Sequence, residues 1–335
     1  MSGHDVMAAE SFAGEQGGRS RMRSVRSRAL IFAVRNRHLF QGRLRPEVIT
    51  EDTDTNQLRA QFEQGARRMG SVPPGIEAIP VRIGEMYAEW IRPAGASLAD
   101  VVLYTHGGGY VSGNCADHRM HVAKLVQSCG VAALLFDYRL APEHPAPAAV
   151  EDTLTAYRWM LSEGVRPANV VIAGESAGGG LCLASLVAIR DRGLPLPCAA
   201  VASSPWLDLT CSADSYRRNA RKDISLLGSW DVWSKYYVGT ANPRDPWISP
   251  IYADLGGLPP TLIQVGTDEI MLDDAVRFTE IAREAGVEAT LRVWEGMVHC
   301  FAFFSPMFPE ATAGMNEMGA YVNAKLGRAT AAAGR

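Results

Sequence analysis

No apolar run in this chain comes near the roughly 18 residues needed to cross a bilayer as a helix. The best stretch, Leu181 to Ile189, contains Ser185 and is only about half that length. A helical membrane-spanning protein is thereby excluded. Charge of one sign is also missing: 33 Lys+Arg stand against 36 Asp+Glu, a net charge of −3, too near neutral for a surface built to hold nucleic acid. Cysteine is sparse and scattered. Cys115, Cys129, Cys182, Cys198, Cys211 and Cys300 form no CxxC pair and no metal-ligand spacing, which excludes a disulfide-dense scaffold and a cysteine metal site. The opening residues MSGHDVMAAESFAGEQGG lack the charged start and apolar centre of a secretory signal. A reduced, cytoplasmic chain is expected. What is present is ordinary for a packed protein: 335 residues, 47% hydrophobic and 21% charged, enough for one large domain or two smaller ones.

Composition shifts along the chain. From Arg19 to Arg45 there are nine arginines and no acidic residue, interrupted by Ala29-Leu30-Ile31-Phe32-Ala33-Val34. The Leu30, Val34 spacing predicts a basic amphipathic helix, a type that can touch anionic membranes. Its apolar face is short and lacks Trp anchors, so the helix is expected to lie on the rest of the protein, with membrane contact less favoured. Residues up to Gly17 are small and polar and read as mobile.

From about Gly75, strand and helix signals alternate. Strands are expected at 76–81, 87–91, 101–104, 131–136, 170–173, 199–202, 261–265 and 289–294; the continuous apolar runs among them read as buried strands. Helices are expected at about 118–129, at 148–162, from GESAGGG through Arg190, and at 274–285. This alternation predicts an α/β fold with a mostly parallel sheet covered by helices on both faces. The stretch Pro205 to Pro250 breaks the rhythm. Rich in aromatics, including Trp206, Trp230 and Trp233, it reads as a helical insertion capping a site, because ligands bind beyond the carboxyl ends of such strands.

Gly174-Glu175-Ser176-Ala177-Gly178 fits G-x-S-x-G directly between a strand and a helix. In that context the flanking glycines permit a tight turn that exposes the Ser176 hydroxyl at the positive end of a helix. His106-Gly107-Gly108-Gly109-Tyr110 follows an earlier strand. Three glycines in a row are entropically costly, and they let backbone N–H groups converge, together with that of Ala177, into an oxyanion hole. No Lys-Ser/Thr follows them and no G-x-G-x-x-G is present at this loop, which argues against a phosphate loop. His106 is expected to brace the loop rather than act as a base.

A nucleophilic serine needs a base oriented by an acid. Of seven histidines only His299 follows a late strand, where the order Ser, acid, His places the base. His118 and His121, with Asp117, lack a third ligand and read as surface polarity. The acid should follow the strand ending at Val265, where Asp268 and Glu269 are adjacent candidates that the residues alone do not separate.

HGGGY, Asp137-Tyr138-Arg139-Leu140-Ala141-Pro142-Glu143, GESAGGG and the His299 segment together resemble the hormone-sensitive-lipase-like (family IV) esterases of the α/β-hydrolase fold. The resemblance runs from roughly Arg59 to Ala324. The family's acid heads an Asp-Pro-Leu-x-Asp pattern; laid back without gaps from His299, that pattern puts the acid on Glu269, a departure from the usual Asp. Glu175, where many members carry Asp, is a second departure, with no evident mechanistic consequence. The same matching makes Gly108, Gly109 and Ala177 the oxyanion donors.

The resemblance implies hydrolysis of short- to medium-chain carboxylic esters, with no cofactor and no metal. It also implies a cap built from N-terminal helices (1–75) and the insertion (205–250) over a catalytic domain (76–204 and 251–330). Tyr110 and Trp206 are expected to line the pocket. The expected partner is a small ester substrate, with a homodimer through the region near Ala289 to Leu326 as an option. An N-acyl amidase or deacetylase on the same triad is the closest rival, and a non-catalytic receptor on this fold is a remoter one.

Overall fold

The computed structural model describes residues 23–328 except 41, 43, 45 and 68–71; the mobile stretch expected up to Gly17 lies outside the described residues. Eight strands form one sheet: β1 (Ile76–Ile83), β2 (Met86–Pro93), β3 (Val101–Thr105), β4 (Ala132–Phe136), β5 (Val170–Glu175), β6 (Ala199–Ser203), β7 (Thr261–Gly266) and β8 (Ala289–Trp294), in the order 1-2-4-3-5-6-7-8. The hairpin β1–β2 joins β4 antiparallel, and every pairing from β4 to β8 is parallel. Each strand expected from the sequence is present.

Successive side chains of a strand point to opposite faces, so each central strand feeds two cores. Val101 and Leu103 of β3 enter one core, with α4 (Ala148–Ser162), α5 (Ala177–Asp191) and α7 (Leu272–Glu284). Val102 and Tyr104 enter the other, with α3 (Cys115–Cys129) and α8 (Pro309–Lys325). Burial on both faces is why β3, β4 and β5 read as unbroken apolar runs. Among the described residues, no helix is long and apolar enough to cross a membrane.

A third, small apolar cluster lies apart from these. Ile49 and Leu58, the latter on α2 (Thr55–Arg67), meet Val232 on α6 (Ser229–Val238), with Leu226, Trp233 and Tyr236 against them. Segments before β1 and between β6 and β7 thus share their own hydrophobic contact. Arg59 on α2 bolts this layer to the body, donating to the carbonyls of Val111 (2.7 Å) and Ala141 (2.8 Å) and pairing with Glu143. The helix expected in the arginine-rich segment is α1 (Val25–Arg35), with Ser27 and Ile31 buried.

The root of the insertion is held by a buried carboxyl. Asp274 accepts from Tyr216 Oη (2.7 Å) and from the N–H groups of Asp208 (3.1 Å) and Leu207 (3.3 Å). Burial pushes it up to about 7 from an ordinary 3.8; the Tyr216 hydrogen bond opposes the shift and the Asp208 charge adds to it. A folded-state pKa above the unfolded one means that the native state holds the proton more tightly. The resulting stability is complete below about pH 4 and is lost as pH rises through about 7. Asp274→Asn keeps an acceptor for the N–H donors while removing the charge. The stability of the variant relative to wild type, read from melting curves, should therefore climb between pH 4 and pH 8 by at most about 4 kcal/mol. A difference that is flat with pH would refute this account of Asp274.

Candidate active site

The turn from β5 into α5 carries Ser176 in a conformation that few L-residues adopt, φ 58° and ψ −127°, at a cost of roughly 1–3 kcal/mol. Close approach explains the glycines: a Cβ on Gly178 would sit 2.1 Å from the Thr105 carbonyl oxygen and 2.4 Å from that of His106. The strain is locked from outside, with the Ser176 N–H donating to Ser203 O (2.9 Å) and its carbonyl accepting from Trp206 N (3.0 Å).

The structure brings Ser176, His299 and Glu269 together. His299 Nε2 lies 2.8 Å from Ser176 Oγ, and its Nδ1 lies 3.2 Å from Glu269 Oε2. The other oxygen of Glu269, Oε1, accepts from Gly266 N (2.6 Å) and Ser204 Oγ (2.8 Å), which aims Oε2 at the imidazole. Asp268, the adjacent candidate, turns away to Arg35 (2.6 Å) and Arg23 (3.6 Å). Burial pushes Glu269 above its ordinary value, and the His299 hydrogen bond and charge pull it back. For His299, burial opposes the charged form. The Cys300 sulfur, Glu269 and Asp223 outweigh it and lift the imidazole well above 6.5.

Two residues of the insertion were not singled out from sequence. Asp223 accepts from His299 N (2.9 Å) and Ile270 N (3.1 Å), and Asn219 Nδ2 donates to Glu269 O (2.8 Å) and Thr267 O (3.0 Å). They clasp the backbone of the histidine loop to that of the acid loop. Because they act on backbone groups far away in sequence, no motif announces them.

The HGGGY loop sits beside the elbow. The Gly107 N–H is committed to Glu175 Oε1 (2.8 Å), while among the described residues neither Gly108 N nor Gly109 N has a partner. Gly108 holds φ 112°, and a Cβ there would meet Ser112 O at 2.2 Å. Ala177 is the first residue of α5, so its N–H has no intrahelical acceptor. His106 bonds within the loop through Nδ1 to Gly107 O (2.8 Å), and its ring stacks on Tyr138 at 4.1 Å. Burial lowers it to about 3, which keeps it neutral and unsuited to act as the base.

Three expectations are corrected here. Tyr110 and Trp206 do not present a pocket wall: each is 1% exposed, and the Tyr110 ring is covered by Tyr237 at 3.7 Å. The ring over the oxyanion loop is instead that of Trp233, which a Cβ on Gly109 would approach to 2.1 Å. His118 is not solvated surface polarity, since its Nε2 lies 3.2 Å from Glu175 Oε1. Glu175 does have a consequence, because it ties the loop (through Gly107), Tyr104 and His118 together. Ligand atoms of His118, His121 and Glu175 all lie within 4.8 Å of one another. With both Glu175 oxygens already engaged by those partners, the group is built as a clamp on the loop and not as a vacant ligand set.

A sequence model described by the alpha/beta hydrolase fold matches residues 102–303. A curated acetyl-hydrolase of Streptomyces hygroscopicus is 40% identical over 282 residues, spanning 83% of this chain and 93% of its own length. An esterase from the bacterial hormone-sensitive lipase family superposes with a TM-score of 0.83 at 38% identity, covering 91% of this chain and 100% of that one. EstE5, from a crystal soaked with p-nitrophenyl butyrate, gives 0.83 at 38% identity, with 91% and 99% covered.

Proposed function

This chain belongs to the hormone-sensitive-lipase-like esterases of the α/β-hydrolase fold, and on that footing we propose that it hydrolyses carboxylic esters through Ser176, His299 and Glu269 by way of an acyl-enzyme. The observation that carries the reading is the unbroken chain from Ser176 Oγ through His299 to Glu269, at 2.8 Å and 3.2 Å. His299 Nε2 removes the Ser176 proton as Oγ attacks the ester carbonyl, and Glu269 stabilises the imidazolium that forms. The N–H groups of Gly108, Gly109 and Ala177 receive the oxyanion, each worth on the order of 3 kcal/mol in the transition state. Collapse expels the alcohol with the proton from His299. Water activated by the same imidazole then releases the acid and restores the serine.

Residues before β1 and the insertion 205–250 act as the cap, a role supported by the apolar cluster they share. We place the preference at short to medium acyl chains. Trp233 standing over Gly109 narrows the space beside the oxyanion donors, and the similarity to an acetyl-hydrolase points the same way.

The test is a panel of p-nitrophenyl esters from acetate to palmitate, with p-nitroanilide analogues of each acyl group. The expected kcat/KM is largest between acetate and hexanoate, falls at least about tenfold by decanoate, and is lower for every anilide, since one poorly accommodated methylene alone costs on the order of 1 kcal/mol. Faster anilides would make the chain an amidase, and a maximum at palmitate would overturn the acyl-length reading.

A further inference from the structure

Large exposed apolar side chains are not scattered over this molecule. Of the nine among the described residues, seven lie before β1: Val25, Phe32, Leu39, Phe40, Leu44, Val48 and Phe62, with Leu44 exposed by 92%, Val25 by 79% and Phe40 by 76%. Single exposed hydrophobics are normal on a soluble surface, but a concentration of them marks an interaction site.

Helix α1 shows how this surface is presented. Its inner side is fully used: Ile31 is buried, and Leu30, Ile31 and Val34 face Val298, Phe304 and Phe308. Polar bolts add to this, with Ser24 on Glu310 (2.8 Å) and Arg35 on Asp268 (2.6 Å). At 100° per residue, Val25, Ala29 and Phe32 fall on the opposite side, all exposed, with exposed Arg26 and Arg28 flanking them. Neither arginine makes an ion pair among the described residues. Leu39, Phe40 and Leu44, which follow the helix in sequence, are exposed as well.

Charge says what covers this surface. Residues 19–45 carry nine arginines and no acid, a charge of +9 inside a chain whose total is −3, so the remainder carries −12. We propose that the outer face of α1, with the exposed Leu39, Phe40 and Leu44 that follow it, docks this protein on an anionic lipid surface. Arg26 and Arg28, exposed and without an ion pair among the described residues, meet headgroups while Val25, Phe32, Leu39, Phe40 and Leu44 enter the boundary with the acyl chains. The negative remainder is repelled by the same surface, so only this face is turned toward it. Nucleic acid offers nothing for the phenylalanines and leucines to enter. A second copy docked face to face would set arginines against arginines.

The experiment is flotation of the full-length protein with vesicles of phosphatidylcholine alone and of phosphatidylcholine with phosphatidylglycerol. Hydrolysis of p-nitrophenyl butyrate in solution serves as the check that each protein is folded. Wild type should float with the anionic vesicles at low salt, remain behind with the neutral ones, and be released at high salt. Arg26→Ala and Arg28→Ala should each weaken the partition about fivefold, and Phe32→Ser with Phe40→Ser should abolish it, with solution activity kept in all of them. Failure to float with anionic vesicles overturns the proposal. So does binding that the phenylalanine changes leave intact, or a wild-type dimer in gel filtration that those changes dissociate, which would assign the face to a second copy.

Discussion

Ser176→Ala should lower kcat toward p-nitrophenyl butyrate by about 10⁶, leaving only what the oxyanion donors and substrate binding supply. The size follows from geometry. The hydroxyl deleted is positioned both 2.8 Å from His299 Nε2 and at the apex of the elbow. The fold should be indifferent to the change. Alanine keeps the Cβ that already tolerates φ 58°, and the bonds that lock the elbow are made by the backbone of residue 176 with Ser203 and Trp206. Melting temperature and KM should stay close to wild type, so lost turnover reads directly on the chemistry. A double variant with His299→Ala should be scarcely worse than Ser176→Ala alone, because groups acting as one unit do not add. Turnover by Ser176→Ala within about tenfold of wild type would remove Ser176 from the mechanism.

How far the sequence carried the site depended on whether an interaction was local. The strands were legible because burial on both faces erases alternation and leaves runs such as Val101-Val102-Leu103-Tyr104 between turn signals. The elbow was legible because its constraints fall within five consecutive residues, Gly174 to Gly178. The acid was legible only through the family pattern that puts it on Glu269. By themselves Asp268 and Glu269 are adjacent carboxylates on one turn, and they are separated by groups remote in the chain: Ser204 on one side, and Arg23 and Arg35 on the other. His118 and Glu175 were read one at a time, as surface polarity and as a neutral departure. Their meaning lies in a 3.2 Å approach between residues on different elements. Tyr110 and Trp206 failed for the same reason: neighbours such as Tyr237 decide which way an aromatic ring turns, and spacing does not.

Glu269→Gln and Asp268→Asn, made side by side, should therefore separate sharply. The Glu269 change should cost about 10⁴ in kcat, the scale found when a buried triad carboxylate becomes an amide and favours the wrong imidazole tautomer. The Asp268 change should cost less than about tenfold in activity and roughly 1 kcal/mol in stability, because it unpairs Arg35 and Arg23 at a partly covered site. The pH profile distinguishes a role in chemistry from one in scaffolding. Catalysis needs neutral His299, and Glu269 is among the groups that favour its protonated form and hold its pKa well above 6.5. In wild type the acidic limb of kcat/KM should thus lie above that value, with activity rising as pH increases through it. Removing the carboxylate charge should carry the limb toward lower pH, while Asp268→Asn leaves it in place. A crippled Asp268→Asn beside a mild Glu269→Gln would transfer the acid to Asp268. Equal loss in Glu269→Gln with an unmoved limb would mean that the side chain matters only for holding Gly266 N and Ser204 Oγ, and that the imidazolium is stabilised by Asp223, the other carboxylate that raises it.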